Sequence, residues 1–286
     1  QHACGDTVNR VPVMRWELFV DVLTPMQVAC ARYGGFIDAV QCFSSREYNI
    51  SPAEAGTMDP HQRLLLAHGY KALHASSHNR ATLIGSLTGV ALGIQRSDWM
   101  FAAPPAARNS IFMVTGDDES VAAGRLSFVL GLHGQCSSID TACSSSLSAM
   151  HIGEYALKNG ECDMVLSSAV SLLLTPLGTL RQASASMLAI DGRCKTFDLR
   201  ANGYTRSEAI GAQVLCASHL SSMLCCASTV RQDGRSASLT APNGLAQRQL
   251  LVASIGRSAL APSEMANVEA HGTGTSLGDP IEAGAL

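Results

Sequence analysis

Two short stretches of this chain hold residue types that can do covalent chemistry together. The first is Ile139-Asp140-Thr141-Ala142-Cys143-Ser144-Ser145-Ser146-Leu147-Ser148, a single cysteine among small and hydroxylated residues. The second is Val268-Glu269-Ala270-His271-Gly272-Thr273-Gly274-Thr275-Ser276-Leu277-Gly278-Asp279-Pro280, where a histidine leaves a short apolar run and enters a loop of glycines and hydroxyls. A thiolate attacks acyl carbon and an imidazole N–H can hold a negative oxygen, so cysteine plus histidine is the minimum set for covalent acyl transfer. Each also has a structural reading. Ten cysteines are present, and a buried cysteine most often serves as a small apolar filler. A lone histidine is more often a satisfied structural residue than a catalyst.

The flanking pattern says how the two residues are delivered. Gln135 to Ile139 has no helical period and follows Gly131 and Gly134, which predicts a short strand entering the cysteine turn. Leu147, Met150 and Leu157 recur at helical spacing, and Lys158-Asn159-Gly160 supplies a basic last turn and a stop. Cys143 is therefore expected at or near a helix N-terminus, where unpaired N–H groups and the helix dipole favour a thiolate. Asn267 to Ala270 is expected to be the strand that delivers His271. Further buried strands are predicted at Gly89–Ile94, Asp163–Val170 and Ile210–Leu215, and helices at Ser120–Leu130 and Leu245–Leu260. Alternation of this kind predicts a layered α/β fold.

The run Asp140 to Leu147 together with Glu269 to Ala283 closely resembles the beta-ketoacyl synthase (ketosynthase) domain of modular polyketide and fatty acid synthases, more in the manner of modular type I polyketide synthases. Further matching blocks follow in the family's order: Gly35 to Asp38, Ile50 to Ala55, Met58-Asp59-Pro60-His61-Gln62-Arg63-Leu64-Leu65-Leu66, Ala122 to Ser127, Gly192 to Asp198, Gln232 to Arg235 and Thr240 to Gly244. The resemblance implies a thiolase-like fold, two similar α/β halves stacked as five layers. About 1–215 of the single domain 1–286 would form the first half with the cysteine, and 216–286 the beginning of the second half with the histidine.

The activity implied is a decarboxylative Claisen condensation. Cys143 corresponds to the acyl acceptor and His271 to the first of the family's two active-site histidines. Thr273 and Thr275 match hydroxyls that bond the pantetheine arm, although hydroxyls in such a loop also cap their own backbone. Asp140 would organise the turn before Cys143, and Asp279 and Glu282 the loop after His271. Ser144 to Ser146 are small enough for tight helix packing, and Arg125 and Arg193 are candidates for pairing with carboxylates. No cofactor is expected on the domain itself, since the substrates ride on the phosphopantetheine of an acyl carrier protein. The implied partners are that carrier, acyl and malonyl thioesters, and a second copy in a homodimer. A catalytically silent ketosynthase-like scaffold or carrier-docking module remains the alternative, with a thiolase-type acyltransferase behind it.

Departures from the family pattern accompany the matches. The second histidine and its preceding lysine fall beyond Leu286, so the sequence reads as partial at both ends, and the fragment is expected not to complete a condensation alone. Gly203-Tyr204-Thr205-Arg206-Ser207-Glu208-Ala209 has Ser207 and Ala209 where two glycines are usual, which adds strain of about 1 kcal/mol at each position that needs positive φ. The stretch from Cys216 to Val230 is short and nearly uncharged.

Composition excludes several other classes. With 47 % hydrophobic and 15 % charged residues, the 286-residue chain can bury a large core. A formal charge of −3 and the absence of a basic run argue against nucleic acid. No apolar stretch reaches the ~18 residues of a transmembrane segment. Thiols without C-x-x-C spacing predict reduced cysteines in an intracellular, cytoplasmic setting and no metal site. His74 and His78, at i and i+4, are expected to lie on one solvated helix face. Gly272-x-Gly274-x-x-x-Gly278 misses the dinucleotide-binding spacing.

Overall fold

The computed structural model describes residues 5–18, 20–217 and 223–286. Part of the uncharged stretch after Cys216, residues 218–222, lies outside them. In chain order the strands are β1 (Val8–Arg10), β2 (Tyr33–Gly35), β3 (Thr88–Ile94), β4 (Cys136–Ile139), β5 (Met164–Ser171) and β6 (Ala209–Cys216). Among the described residues, the helices of eight residues or more are α1 (Pro60–Ala75), α2 (Glu119–Leu130), α3 (Ser145–Lys158), α4 (Leu177–Ser184), α5 (Gly244–Ser258) and α6 (Gly278–Ala285). None is long and apolar enough to cross a membrane. The chain divides into two compact units. One comprises Phe36–Thr175 and Ser207–Leu220, the other Gln1–Gly35, Pro176–Arg206 and Ser221–Leu286.

The first unit is built on a sheet of order β4-β3-β5-β6, with β3 parallel to β4 and β5, and β6 antiparallel to β5. Every residue of β3 is buried, as expected for a strand covered on both faces. Its side chains divide by the period of two. Val90, Leu92 and Ile94 join Leu65, Leu66, Leu73, Leu126 and Leu166 in the main core, the side on which α1 and α2 pack. Each leucine buried there stabilises by about 1.5–3 kcal/mol. The other face carries Gly89, Ala91 and Gly93, against which α3 brings Ala149, Gly153 and Ala156. Small residues on both partners let α3 lie close. A Cβ added to Gly93 would come 2.7–2.9 Å from the backbone of Ser145 and Ser146, and one on Gly153 2.9 Å from Val165 Cγ1.

Gly93→Ala is accordingly expected to push the first turn of α3 off the sheet. Overpacking against backbone costs about 1–3 kcal/mol. Denaturant melts should show that loss together with slower alkylation of Cys143, and unchanged alkylation would mean the turn is held some other way.

The same unit is tied across its loops by buried polar side chains. Glu208 accepts the N–H of Ile37 (3.0 Å) and of Leu173 (2.9 Å). Nδ1 of His61 donates to Asp59 (2.7 Å), while its Nε2 accepts the Leu172 N–H (2.9 Å), which fixes the tautomer. Arg125 pairs with Glu54 at 2.6 Å and donates to Gln62 at 2.6 Å.

The second unit holds the antiparallel pair β1–β2. It also contains a small core of Cys30, Ala183 and Leu188 with Tyr204 against it, the packed pair α5 and α6, and the Arg193–Asp6 ion pair at 2.6 Å.

Three sequence expectations change at this level. Asn267–Ala270 forms no strand: no ladder partner pairs with it among the described residues, and a strand exists only through pairing, so the segment runs exposed into the histidine loop. Cys143 lies in a 3-10 turn, Ala142–Ser144, immediately ahead of α3 and so near its N-terminus, as expected. His74 and His78 do not share a helix face, because α1 ends at Ala75 and Ser77 turns the chain with φ +67°. Ser207 and Ala209 are not among the residues with positive φ, so the loss of two glycines strains nothing there. Gly203, which is retained, does need its freedom: φ is +125°, and a Cβ would meet the Leu188–Ala189 backbone at 2.6–2.7 Å.

Candidate active site

The cysteine turn is held by its own side chains. Asp140 Oδ1 accepts the Ala142 N–H at 2.9 Å, and the Thr141 N–H donates to Ser145 Oγ at 2.9 Å. Ser145 Oγ in turn donates to the Ala142 carbonyl at 2.7 Å, and Ser144 Oγ to the Thr141 carbonyl at 2.9 Å. Thr141 Oγ1 and Ser148 Oγ lie 3.0 Å apart, reaching one helical turn further down α3. This clamp holds Ala142 at φ +56°, a left-handed conformation that costs a residue with a Cβ on the order of 1–2 kcal/mol. The bend turns the chain sharply from β4 into α3 and leaves Cys143 exposed at the corner. Strained, sharply turned nucleophile positions of this kind are a recurrent way of presenting a reactive side chain.

Asp140 therefore does what its position suggested. The serines do more than the sequence reading gave them: Ser144 and Ser145 carry the turn's hydrogen bonds, and Ser145 is itself buried. The available signal was the tendency of short hydroxyl side chains to bond nearby backbone.

The histidine loop is held from below by two carboxylates. Glu282 accepts the N–H of His271 at 2.6 Å and of Gly272 at 2.7 Å, one with each oxygen. Asp279 is buried, at 3 % exposure. It accepts the N–H of Gly274 (3.0 Å) and Thr275 (3.2 Å) on Oδ1 and that of Phe197 (2.7 Å) on Oδ2. Gly272 and Gly274 take φ +49° and +76°. A Cβ on Gly274 would come 2.7 Å from the Lys195 backbone nitrogen, so glycine is required there by both conformation and space. His271 itself is exposed. Thr273 and Thr275 face each other at 3.2 Å, and Thr275 Oγ1 also accepts the Gly278 N–H at 3.1 Å, so the loop-capping use of these hydroxyls is occupied. Cys143 belongs to the first compact unit, and His271, Thr273 and Thr275 to the second.

A carboxyl raised by burial lies away from both stretches. Burial, reinforced by Asp59 and Glu119, pushes the Asp117 carboxyl up to about 6, against an opposing pull from Arg96 and the Met100 N–H. Its Oδ1 is buried without a hydrogen-bond partner. A carboxyl raised in the folded state binds more protons there than when unfolded, so stability is lost as pH rises from about 4 through about 6. Asp117→Asn should raise Tm at pH 7.5 and leave it nearly unchanged at pH 4. Equal shifts at both pH values would contradict this.

A parallel-strand core, a small-residue face seating one helix, and a cysteine at the strained corner ahead of that helix make a layered α/β protein, whose likeness to solved ketosynthases gives the fold as thiolase-like. Comparison with known proteins narrows the class. Residues 4–219 match the model of the beta-ketoacyl synthase N-terminal domain, and residues 224–286 that of its C-terminal domain. The chain is 38 % identical over 295 residues to the polyketide synthase GfsE of Streptomyces halstedii, covering 99 % of this chain and 8 % of that protein. To mycoketide-CoA synthase of Mycobacterium tuberculosis it is 41 % identical over 263 residues, covering 90 % and 6 %. It thus spans a small part of these relatives' length. Among solved structures it resembles the ketosynthase from module 6 of the bacillaene synthase of Bacillus subtilis (34 % identity, TM-score 0.85, 98 % of this chain and 48 % of that one). It also resembles an oxazolomycin ketosynthase domain of Streptomyces albus (31 %, 0.88, 98 % and 51 %). The chain belongs to the beta-ketoacyl synthase family.

Proposed function

We propose that this chain carries the acyl-accepting cysteine and an extender-binding histidine of a polyketide ketosynthase. Its reaction is the decarboxylative Claisen condensation of an acyl chain on Cys143 with a malonyl-type extender on an acyl carrier protein. The observation that carries the reading is the self-clamped turn that sets Cys143 at the exposed corner ahead of α3, in a chain of this family.

The chemistry balances in two exchanges. The Cys143 thiolate attacks the carbonyl carbon of a carrier-bound acyl thioester. A new C–S bond forms, the old one breaks, and the carrier's pantetheine leaves as thiolate and takes up a proton. One thioester replaces another at little free-energy change. The extender then loses carbon dioxide, and the electron pair of the broken C–C bond moves into an enolate. The His271 ring N–H donates to the enolate oxygen, stabilising charge where it develops. The enolate carbon attacks the acyl carbonyl on Cys143, forming the new C–C bond and releasing the Cys143 thiolate. The product is a beta-keto thioester two backbone carbons longer.

The extender's phosphopantetheine belongs to the carrier, so the chain needs no cofactor of its own. Thr273 and Thr275 would bond that arm by exchanging their present partners for it. About 1–215 would correspond to the first half of the family fold and 216–286 to the beginning of the second, and the working assembly would be a homodimer. The native protein, given an acyl thioester and malonyl-acyl carrier protein, should yield carbon dioxide and the beta-keto thioester by mass spectrometry. Acylation without either product would reduce the reading to simple acyl transfer.

A further inference from the structure

Phe197 has a large side chain in a conformation that disfavours it, with little burial in return. Its φ is +54°, in the left-handed region where a bulky residue is an outlier, and the residue is 50 % exposed. Core packing therefore does not account for the strain. Two bonds hold the segment against the histidine loop. The Phe197 N–H donates to Asp279 Oδ2 at 2.7 Å, and Thr196 Oγ1 donates to the Gly272 carbonyl at 2.6 Å. A Cβ on Gly272 would lie 2.5 Å from Thr196 Cγ2 and 3.6 Å from Phe197 Cε2, so only glycine allows so close an approach beside His271. Asp279 also fixes Gly274 and Thr275, so one buried carboxylate sets the aromatic residue and the hydroxyl loop in a common frame. Backbone strain maintained without a packing return is a mark of a ligand-facing residue.

We propose that Phe197 is a substrate-contacting specificity residue: its ring forms the wall against which the apolar part of the extender's pantetheine thioester packs beside His271. This rests on the reading of His271 given above and adds to it a contact for the uncharged part of the arm. An aromatic face is suited to that part because it offers area at a low cost in side-chain entropy. The contact is made equally before and during decarboxylation, so it governs KM rather than kcat.

The test uses the native protein with Phe197→Asn and Phe197→Leu, and malonyl-pantetheine as the varied substrate. Asparagine adopts positive φ more readily than phenylalanine, so relief of strain offsets the lost packing and Tm should change little. The expected result for Phe197→Asn is a KM raised about tenfold with kcat within about twofold, and a smaller rise for Phe197→Leu. Alkylation of Cys143 by iodoacetamide, which carries no pantetheine, should be unchanged. A parental KM in Phe197→Asn, or losses of kcat and Tm together, would overturn the inference. Should Phe197→Asn fail to fold, the KM of Phe197→Leu decides by the same criterion. A parent protein that forms no beta-keto product would instead remove the His271 reading, and this inference with it.

Discussion

Cys143→Ala is expected to abolish acyl loading and, with it, product formation, a loss on the order of 10⁴-fold or more for removal of a covalent nucleophile. The side chain is exposed, and hydrogen bonds of Asp140, Ser144 and Ser145 hold the turn around it. The substitution should therefore leave stability within about 0.5 kcal/mol of the parent. That separation makes the variant informative: an inactive protein with the parent's melting curve has lost chemistry and not structure. Product formation within tenfold of the parent would show that another group accepts the acyl chain.

Asp279→Ala should have the largest effect on the histidine loop. Three backbone N–H groups, those of Phe197, Gly274 and Thr275, share this one carboxylate, which is almost wholly buried. Leaving a buried donor unsatisfied costs about 1–3 kcal/mol, and water entering the space recovers part of the sum, so about 3 kcal/mol or more is expected. The same loss frees the turn that holds Phe197 at positive φ and the glycines that follow His271. Activity should fall with stability, most steeply in KM for the extender. Asp279→Asn should be intermediate: its oxygen can serve Gly274 and Thr275, but its amide then sets donor against donor at Phe197. The check is a urea melt alongside steady-state kinetics, and an Asp279→Ala protein as stable as the parent would show that the three N–H groups find other partners.

Much of this was legible in the sequence because it is encoded locally. The alternating apolar runs gave β3, β5 and β6 to within a residue or two, and the helical spacing gave α2, α3 and α5. Asp140 and Glu282 act within eleven positions of their partners, as does Asp279 toward Gly274 and Thr275. What escaped was encoded between distant segments. Gly93 reads as an ordinary strand residue until Ser145 is laid against it. Glu208 joins Ile37 to Leu173, and Phe197 meets Asp279 across 82 positions, relations that no local pattern carries. The expected strand at Asn267–Ala270 failed for the complementary reason: its apolar residues satisfy the local pattern, but pairing is a property of two segments.

The central claim is that Cys143 is the residue that takes the acyl group. Incubation of the native protein with an acyl thioester, followed by peptide mapping in a mass spectrometer, tests it directly, with the exposed Cys42 and Cys194 as internal comparisons. The account predicts an adduct on the peptide containing Cys143, lost on addition of malonyl-acyl carrier protein as product appears. An adduct on Cys42 or Cys194 with Cys143 unmodified, or product formed while Cys143 stays unacylated, would contradict it.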